Sequence, residues 1–390
     1  MKALILTREY PPHVYGGAGV VVDQLTRALS RRIGVEVRCF GQPDPGPEGV
    51  LVRGYQPWER VAPGPDGPRF ASALEAFSIG LAMARDATDA DVVHAHTWYA
   101  SLAGYLVRTL YRIPLVVTVH SLEPLRPWKA DQLGPGYGLS TWAEKSAVEA
   151  ADRVIAVSGA MREDILRHFG VDPGRVVVVH NGIDPDRYRR TQRREALERR
   201  GIREPYVLFV GRLSEQKGLF HLLEATRELP AGAQVVLCAA SPDTAEIEAR
   251  FRRAAAEHPR AVWIREMVPV DEVIQLCSHA ALFVCPSVYE PFGLINLEAM
   301  ACETPVVASA VGGIPEVVAE RETGLLVPAG RADELARAIR WMLEHPSEAR
   351  AMGRAGRQRV EERFSWARVA ERAEGVYAAA IEDFRPAAAG

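Results

Sequence analysis

The chain has 390 residues, a length for two or three domains that each bury a core of their own. Hydrophobic residues make up 48% and charged residues 25%, an ordinary soluble balance, and a net charge of −3 supplies no global basic field to draw nucleic acid. The five cysteines, at 39, 238, 277, 285 and 302, form no CxxC pair, so a reducing cytoplasm is expected and a disulfide framework is not.

In chain order, the opening MKALILTREYPP has too short an apolar run for a signal peptide, and no later stretch reaches the length of a membrane span. Ala3–Thr7 reads as the first of a series of buried parallel strands. Val35–Phe40, Val92–Ala95, Leu115–Val119, Val154–Val157 and Val176–Val179 continue the series. They are short, rich in Val and Ile, and bounded by turn residues. Helical patterns at Ala18–Arg31, Ala71–Arg85 and Ala160–Phe169 lie between several of them.

The stretch NGIDPDRYRRTQRREALERRG, within 181–203, breaks the pattern. Its basic run reads as a solvated linker or helix face in preference to a nucleic-acid or membrane contact. The first half also lacks a Lys-rich amphipathic helix, so stable membrane insertion is not expected. The alternation then restarts with a strand at Tyr206–Val210, a loop GRLSEQKG and a helix at Leu219–Glu228. Strands follow at Gln234–Cys238, Ala261–Arg265, Ala281–Cys285 and Pro305–Ala308. Two runs of this kind predict an α/β protein of two Rossmann-like doubly wound domains facing across a cleft. The expected domains are 1–183 and 184–365. A tail, 366–390, with helical character over Phe364–Phe384, is expected to cross back to the first domain.

In open sheets ligands bind beyond the carboxyl ends of the strands, and the informative motifs lie there. After the first strand, Glu9 to Val20 carries Gly16 and Gly17 just before a helix start, where the backbone can approach a ligand closely. The loop is not GxGxxG and lacks the acidic partner of a dinucleotide site. His120 follows the strand Leu115–Val119, with Arg126, Trp128 and Lys129 close behind as cations beside an aromatic surface. A lone His also has many structural uses. Arg212 and Lys217, in GRLSEQKG, are two cations at a strand end that could neutralise a leaving diphosphate; two surface cations would look the same. Glu290 and Glu298 flank the turn Pro291–Gly293 and a helix start near Leu294. Amide groups there suit phosphate and the carboxylates suit hydroxyls. By spacing alone, a cap and a solvated side chain is the more frequent meaning of such a pair.

Asp89-Ala90-Asp91 mimics a metal-binding DxD but precedes a strand, at the wrong end of the sheet. His94 and His96 share a strand face with no third ligand evident nearby, so no metal is expected. There is no GxSxG and no Cys–His pattern to argue for hydrolysis.

The Tyr-Gly-Gly loop, GRLSEQKG and the Glu290–Glu298 pair, in this order, resemble family 4 retaining glycosyltransferases of the GT-B fold, over nearly the whole chain. TREYPPHVYGGAGV, VHAHTWYASLAGYL, HSLEPLRPWKADQLG and PSVYEPFGLINLEAMAC are similar to the actinobacterial branch of the glycogen synthase-like enzymes. The resemblance implies α-1,4-glucosyl transfer from a nucleotide sugar, ADP-glucose foremost, to glucose 1-phosphate, giving α-maltose 1-phosphate, with no cofactor. It also implies roles by position. Gly16 and Gly17 lie at the donor phosphate, with an amide presented by Gly17. Arg212 and Lys217 bind the diphosphate. Glu290, with the amides of Phe292, Gly293 and Leu294, holds the donor sugar and phosphate, and Ile295 also lies at the donor. Glu298 binds ribose, Met267 within 265–268 meets the base, and His120 contacts the sugar near its anomeric carbon. Where ordinary bacterial glycogen synthases carry KxGGL, this chain has Val14 and Ala18 at the Lys and Leu places; Thr97 stands for the Asp of an HDW-like segment. These departures favour the phosphorylated acceptor over elongation of an α-glucan, the rival reading. A glycolipid mannosyltransferase and a non-catalytic nucleotide-sugar sensor stand behind that. The oligomeric state is open, and a homo-oligomer is compatible.

Arg126 and Lys129 are expected to hold the acceptor phosphate. Lys217→Ala is expected to lower kcat about a hundredfold with the fold intact.

Overall fold

The computed structural model describes residues 1–59, 69–227, 229–230 and 232–384. The chain divides into two compact units. One comprises Met1–Asn181 and the segment from Trp366 onward; the other is Gly182–Ser365.

The first unit is built on a seven-stranded parallel sheet. Its strands are β1 (Lys2–Leu6), β2 (Gly34–Phe40), β3 (Val50–Tyr55), β4 (Val92–His96), β5 (Leu115–Val119), β6 (Arg153–Ala156) and β7 (Val176–Val178). Their spatial order is β3-β2-β1-β4-β5-β6-β7. The strand order reverses between β1 and β4, and in open sheets of this kind ligands bind beyond the carboxyl ends of the two strands at such a reversal. β4 and β5 are buried along their whole length, because helices cover both faces of a parallel sheet. Helix Trp366–Asp383 packs against β4 and β5 and against helix Gly17–Leu29. It buries Val369, Ala370, Ala373, Val376, Tyr377 and Ala380.

The second unit repeats the plan with six parallel strands. They are β8 (Tyr206–Arg212), β9 (Gln234–Ala240), β10 (Ala261–Ile264), β11 (Leu282–Cys285), β12 (Val306–Ser309) and β13 (Gly324–Val327), in the order β10-β9-β8-β11-β12-β13. The strand order reverses between β8 and β11. One core runs through β8, β9 and the helices Leu219–Ala225 and Ala332–Glu344, with Phe209, Leu222, Leu237, Phe251 and Ile339 fully enclosed.

Several elements depart from expectation. β3 was not foreseen: it is an edge strand with alternating burial, and Arg53 and Gly54 dilute its apolar signal. β13 is only four residues long and opens on glycine. The helix expected over Leu219–Glu228 closes at Ala225, where the Thr226 hydroxyl donates back to the Leu222 carbonyl. Glu228 and 385–390 of the expected tail lie outside the described residues. Within the basic run, Arg190, Arg193, Arg194, Arg199 and Arg200 pair with Glu303, Glu195, Glu204, Glu272 and Glu266 respectively. Its charge is therefore matched locally.

Candidate active site

In the second unit the carboxyl ends of β8 and β11 carry two loops that are stitched together. Gln216 Nε2 donates to the Tyr289 carbonyl at 3.0 Å, and Val288 N donates to the Gln216 carbonyl at 2.9 Å. Gly218 has φ +64°, and a Cβ there would stand 2.0 Å from the Pro286 carbonyl oxygen. Gly312, at φ +55°, comes equally close to the Glu290 carbonyl oxygen. Any side chain at either position would both strain the backbone and push the loop away. The segment 286–293 is thus clasped from two sides, and Gly313 N adds a 3.1 Å bond to the Glu290 carbonyl.

This clasp sets up the charged pair. Lys217 Nζ lies 2.5 Å from Glu290 Oε2, and Ser287 Oγ donates to the same oxygen at 3.2 Å. Burial works against the Lys217 charge, but the Glu290 carboxylate outweighs it, so the ammonium titrates above its ordinary value. Gly293 caps helix Leu294–Ala301, whose first amides have no partner within the helix and sit at the positive end of its dipole. A cation, a carboxylate and a helix amino end converge on one loop, which is the chemistry that holds a phosphorylated sugar.

Glu290 and Glu298 sit in different surroundings. Glu298 is hydrogen-bonded by the Tyr188 hydroxyl, with Arg187 nearby, and burial pushes its carboxyl up to about 7. Arg212 pairs with Asp243 through Nη2. Phe292 is enclosed and packs edge-on against Phe364, while Leu294 and Ile295 are half-buried at the helix opening. Met267 is exposed beyond β10, beside an Arg265 guanidinium lying 4.5 Å over the Trp263 ring.

In the first unit the glycine loop already holds an anion of the chain's own. Glu9 Oε2 accepts from the amides of Tyr15 and Gly16, each at 2.9 Å, just before helix Gly17–Leu29. The Gly16 amide is therefore engaged by Glu9, and Gly17 is the first residue of the helix. His120, beyond β5, contacts His96 at the end of β4, with 2.9 Å between Nε2 and Nδ1. Burial holds the His120 imidazole down at about 4, so the ring is neutral near pH 7. Arg126 forms an ion pair with Glu123 at 3.5 Å and donates to Ser121 Oγ, while its buried Nε has no partner. Lys129 Nζ donates to Gln132 Oε1 at 2.8 Å, and Trp128 precedes the short helix Lys129–Leu133.

The site residues thus follow the carboxyl ends of strands in each unit: Gly16 and Gly17 after β1, His120 beyond β5, Lys217 after β8, Met267 beyond β10 and Glu290 after β11. Glu9, Tyr188, Asp243 and Ser287 escaped sequence reasoning. Glu9 stands in the glycine loop after β1, but nothing in its spacing says that it accepts from the Tyr15 and Gly16 amides. Among the described residues no group of three or more His, Cys, Asp or Glu could hold a metal ion, and no helix is long and apolar enough to cross a membrane.

Comparison with known proteins agrees with this geometry. Residues 15–187 match the family described as Glycosyltransferase Family 4, and residues 192–359 match Glycosyl transferases group 1. The chain is 47% identical to α-maltose-1-phosphate synthase of Mycolicibacterium smegmatis, covering 97% of this chain and 99% of that protein. It is 32% identical to glycogen synthase of Mycobacterium tuberculosis, covering 97% and 95%. Among solved structures, sucrose-phosphate synthase from Thermosynechococcus elongatus superposes with a TM-score of 0.79 at 26% identity, over 97% of this chain and 98% of that one. Similarity of this extent, reaching end to end through both units, has one meaning: the chain belongs to the family 4 glycosyltransferases of the GT-B fold.

Proposed function

We propose that this glycosyltransferase moves glucose, with retention of its α configuration, from a nucleotide sugar to glucose 1-phosphate, releasing α-maltose 1-phosphate and a nucleoside diphosphate. ADP-glucose is the donor of choice in this reading, no metal ion takes part, and the location is cytoplasmic. The observation that carries the acceptor is the difference between 47% identity to an α-maltose-1-phosphate synthase and 32% to a glycogen synthase, both over nearly the full length. Five cysteines that are all buried and free accord with a reducing compartment.

In the transfer, positive charge grows on the sugar ring and negative charge on the departing diphosphate. Lys217, Arg212 and the amides opening helix Leu294–Ala301 meet that negative charge more strongly as it develops, which lowers the barrier. Arg212 must exchange Asp243 for the phosphate to do so. Glu290, held by Lys217 and Ser287, orients sugar hydroxyls, and Gly17 offers its amide to the phosphate. Glu298 takes the ribose hydroxyls and Met267 lies along the base. The acceptor hydroxyl attacks from the face the diphosphate leaves, and a departing phosphate oxygen accepts its proton. His120, neutral, donates to the donor sugar. Arg126, whose Nε is without a partner, and Lys129 receive the acceptor phosphate beside Trp128.

The test is to incubate the protein with ADP-glucose and either glucose 1-phosphate or glycogen, with and without EDTA, and to identify products by mass and anomeric configuration by NMR. A disaccharide phosphate with an α linkage, formed equally in EDTA, is the expected outcome. Glucose added to glycogen alone, with no disaccharide phosphate formed, would replace this reading with chain elongation.

A further inference from the structure

His94 and His96 resemble a metal pair in the sequence, yet the fold gives them definite partners of another kind. Both rings lie on one face of β4 and are fully enclosed, with centroids 4.1 Å apart. His94 is held at both nitrogens: Nδ1 lies 2.7 Å from the Tyr377 hydroxyl of helix Trp366–Asp383, and Nε2 lies 2.7 Å from Thr118 Oγ1 on β5. His96 is held at one. Its Nδ1 lies 2.9 Å from His120 Nε2, the two rings meeting edge to edge with centroids 5.2 Å and planes 26° apart, and its own Nε2 is buried without a partner. The next residue, Thr97, is β-branched and yet has φ +63°, a conformation such residues adopt only where the surroundings enforce it. A strained turn directly after His96 fixes where that ring begins.

Burial depresses all three imidazoles, His94 to about 3 and His120 to about 4, with His96 also held well below its ordinary value. Between two neutral rings one nitrogen donates and the other accepts. If His120 donated from Nε2, His96 would carry its proton on the enclosed Nε2, a buried N–H with no acceptor. Buried donors without acceptors are the rarer defect. The opposite assignment leaves only an unfilled lone pair there, and it places the remaining proton of His120 on Nδ1, which has no partner among the described residues.

We infer that His96 is a positioning residue for sugar transfer: by donating from Nδ1 to His120 Nε2 it holds His120 in the tautomer whose Nδ1–H faces the donor sugar. Tyr377 and Thr118 lock His94, His94 backs His96, and His96 sets His120. The inference rests on the reading of His120 as a contact of the donor sugar.

His96→Phe keeps the ring and removes the donor; His96→Asn keeps a donor near the Nδ1 position. His96→Phe is expected to lower kcat about tenfold to a hundredfold, the size of effect of removing a residue that orients a functional side chain, with the donor KM little changed. His96→Asn is expected to recover most of it. Long-range proton–nitrogen NMR on histidine-labelled protein, assigned with His120→Asn, should show wild-type His120 protonated at Nδ1 and a mixture of tautomers in His96→Phe. Wild-type His120 protonated at Nε2, or equal turnover in His96→Phe and wild type, would overturn the inference. If His96→Phe does not fold, the wild-type spectrum and the kinetics of His96→Asn still decide. The spectrum does not depend on the acceptor, so absence of transfer to glucose 1-phosphate would count against the proposed function and leave this test standing.

Discussion

At the scale of single residues, Lys217 and Glu290 shift the expectation for Lys217→Ala. A surface lysine could be removed without touching the fold. This one neutralises a carboxylate that is itself only 10% exposed. Its loss leaves Glu290 charged and poorly solvated, which costs on the order of 3 kcal/mol. Lys217→Ala should therefore lower Tm as well as cutting kcat about a hundredfold. Adding Glu290→Gln should restore Tm while activity stays low, because the neutral amide needs no counter-ion. Full recovery of turnover in the double variant would remove both side chains from the chemistry.

Glu298 makes a second prediction of this kind. Its folded-state carboxyl titrates at about 7, against an ordinary value of 4.5. The folded protein thus keeps a proton between those values that the unfolded chain has released. Stability from this group is greatest below the window and declines as pH rises through it. Glu298→Gln removes the penalty, so the variant should gain on wild type by up to about 3 kcal/mol between pH 5 and pH 8. Calorimetry at the two pH values measures the gap, and an unchanged gap would show that Glu298 is ionised without cost.

Among elements, the contrast between strands and their partners shows what could be read from the chain. β1, β2, β4, β5 and β8 announce themselves as short, mainly aliphatic runs, since burial on both faces favours apolar residues; the buried Glu36 and Arg38 of β2 and His94 and His96 of β4 are the exceptions. The amphipathic helix Ala71–Arg85 is likewise legible in its spacing. What each helix covers is not legible. Helix Trp366–Asp383 has the same periodicity whichever sheet receives it, but it lies on β4 and β5 and supplies the Tyr377 hydroxyl to His94. Ending the chain at Ser365 would remove Val369, Val376 and Tyr377, uncover the apolar face of the sheet they pack on and leave a buried imidazole nitrogen without its partner. Such a truncation is expected to yield insoluble or extensively exchanging protein. Cooperative unfolding at the full-length Tm would count against a structural role for the helix.

In the whole molecule, two sheets of nearly the same strand order arise from one repeated pattern, and each places its loops beyond the strands where the order reverses. The chain alone determined this much: two α/β halves, the glycine loop, GRLSEQKG, His120 and the Glu290 segment at strand ends, and the family that this order of motifs resembles. Local periodicity and turn chemistry suffice for it, because they are properties of neighbouring residues. The tertiary structure alone decided the pairings. Lys217 meets Glu290 across 73 positions, His96 meets His120 across 24, and Tyr377 meets His94 across 283. The capture of Tyr15 and Gly16 by Glu9 and the rise of Glu298 toward neutrality belong with them. Hydrogen bonds of this kind depend on which strands become neighbours and on how completely water is excluded from them, and neither quantity is written in the spacing of residues along the chain.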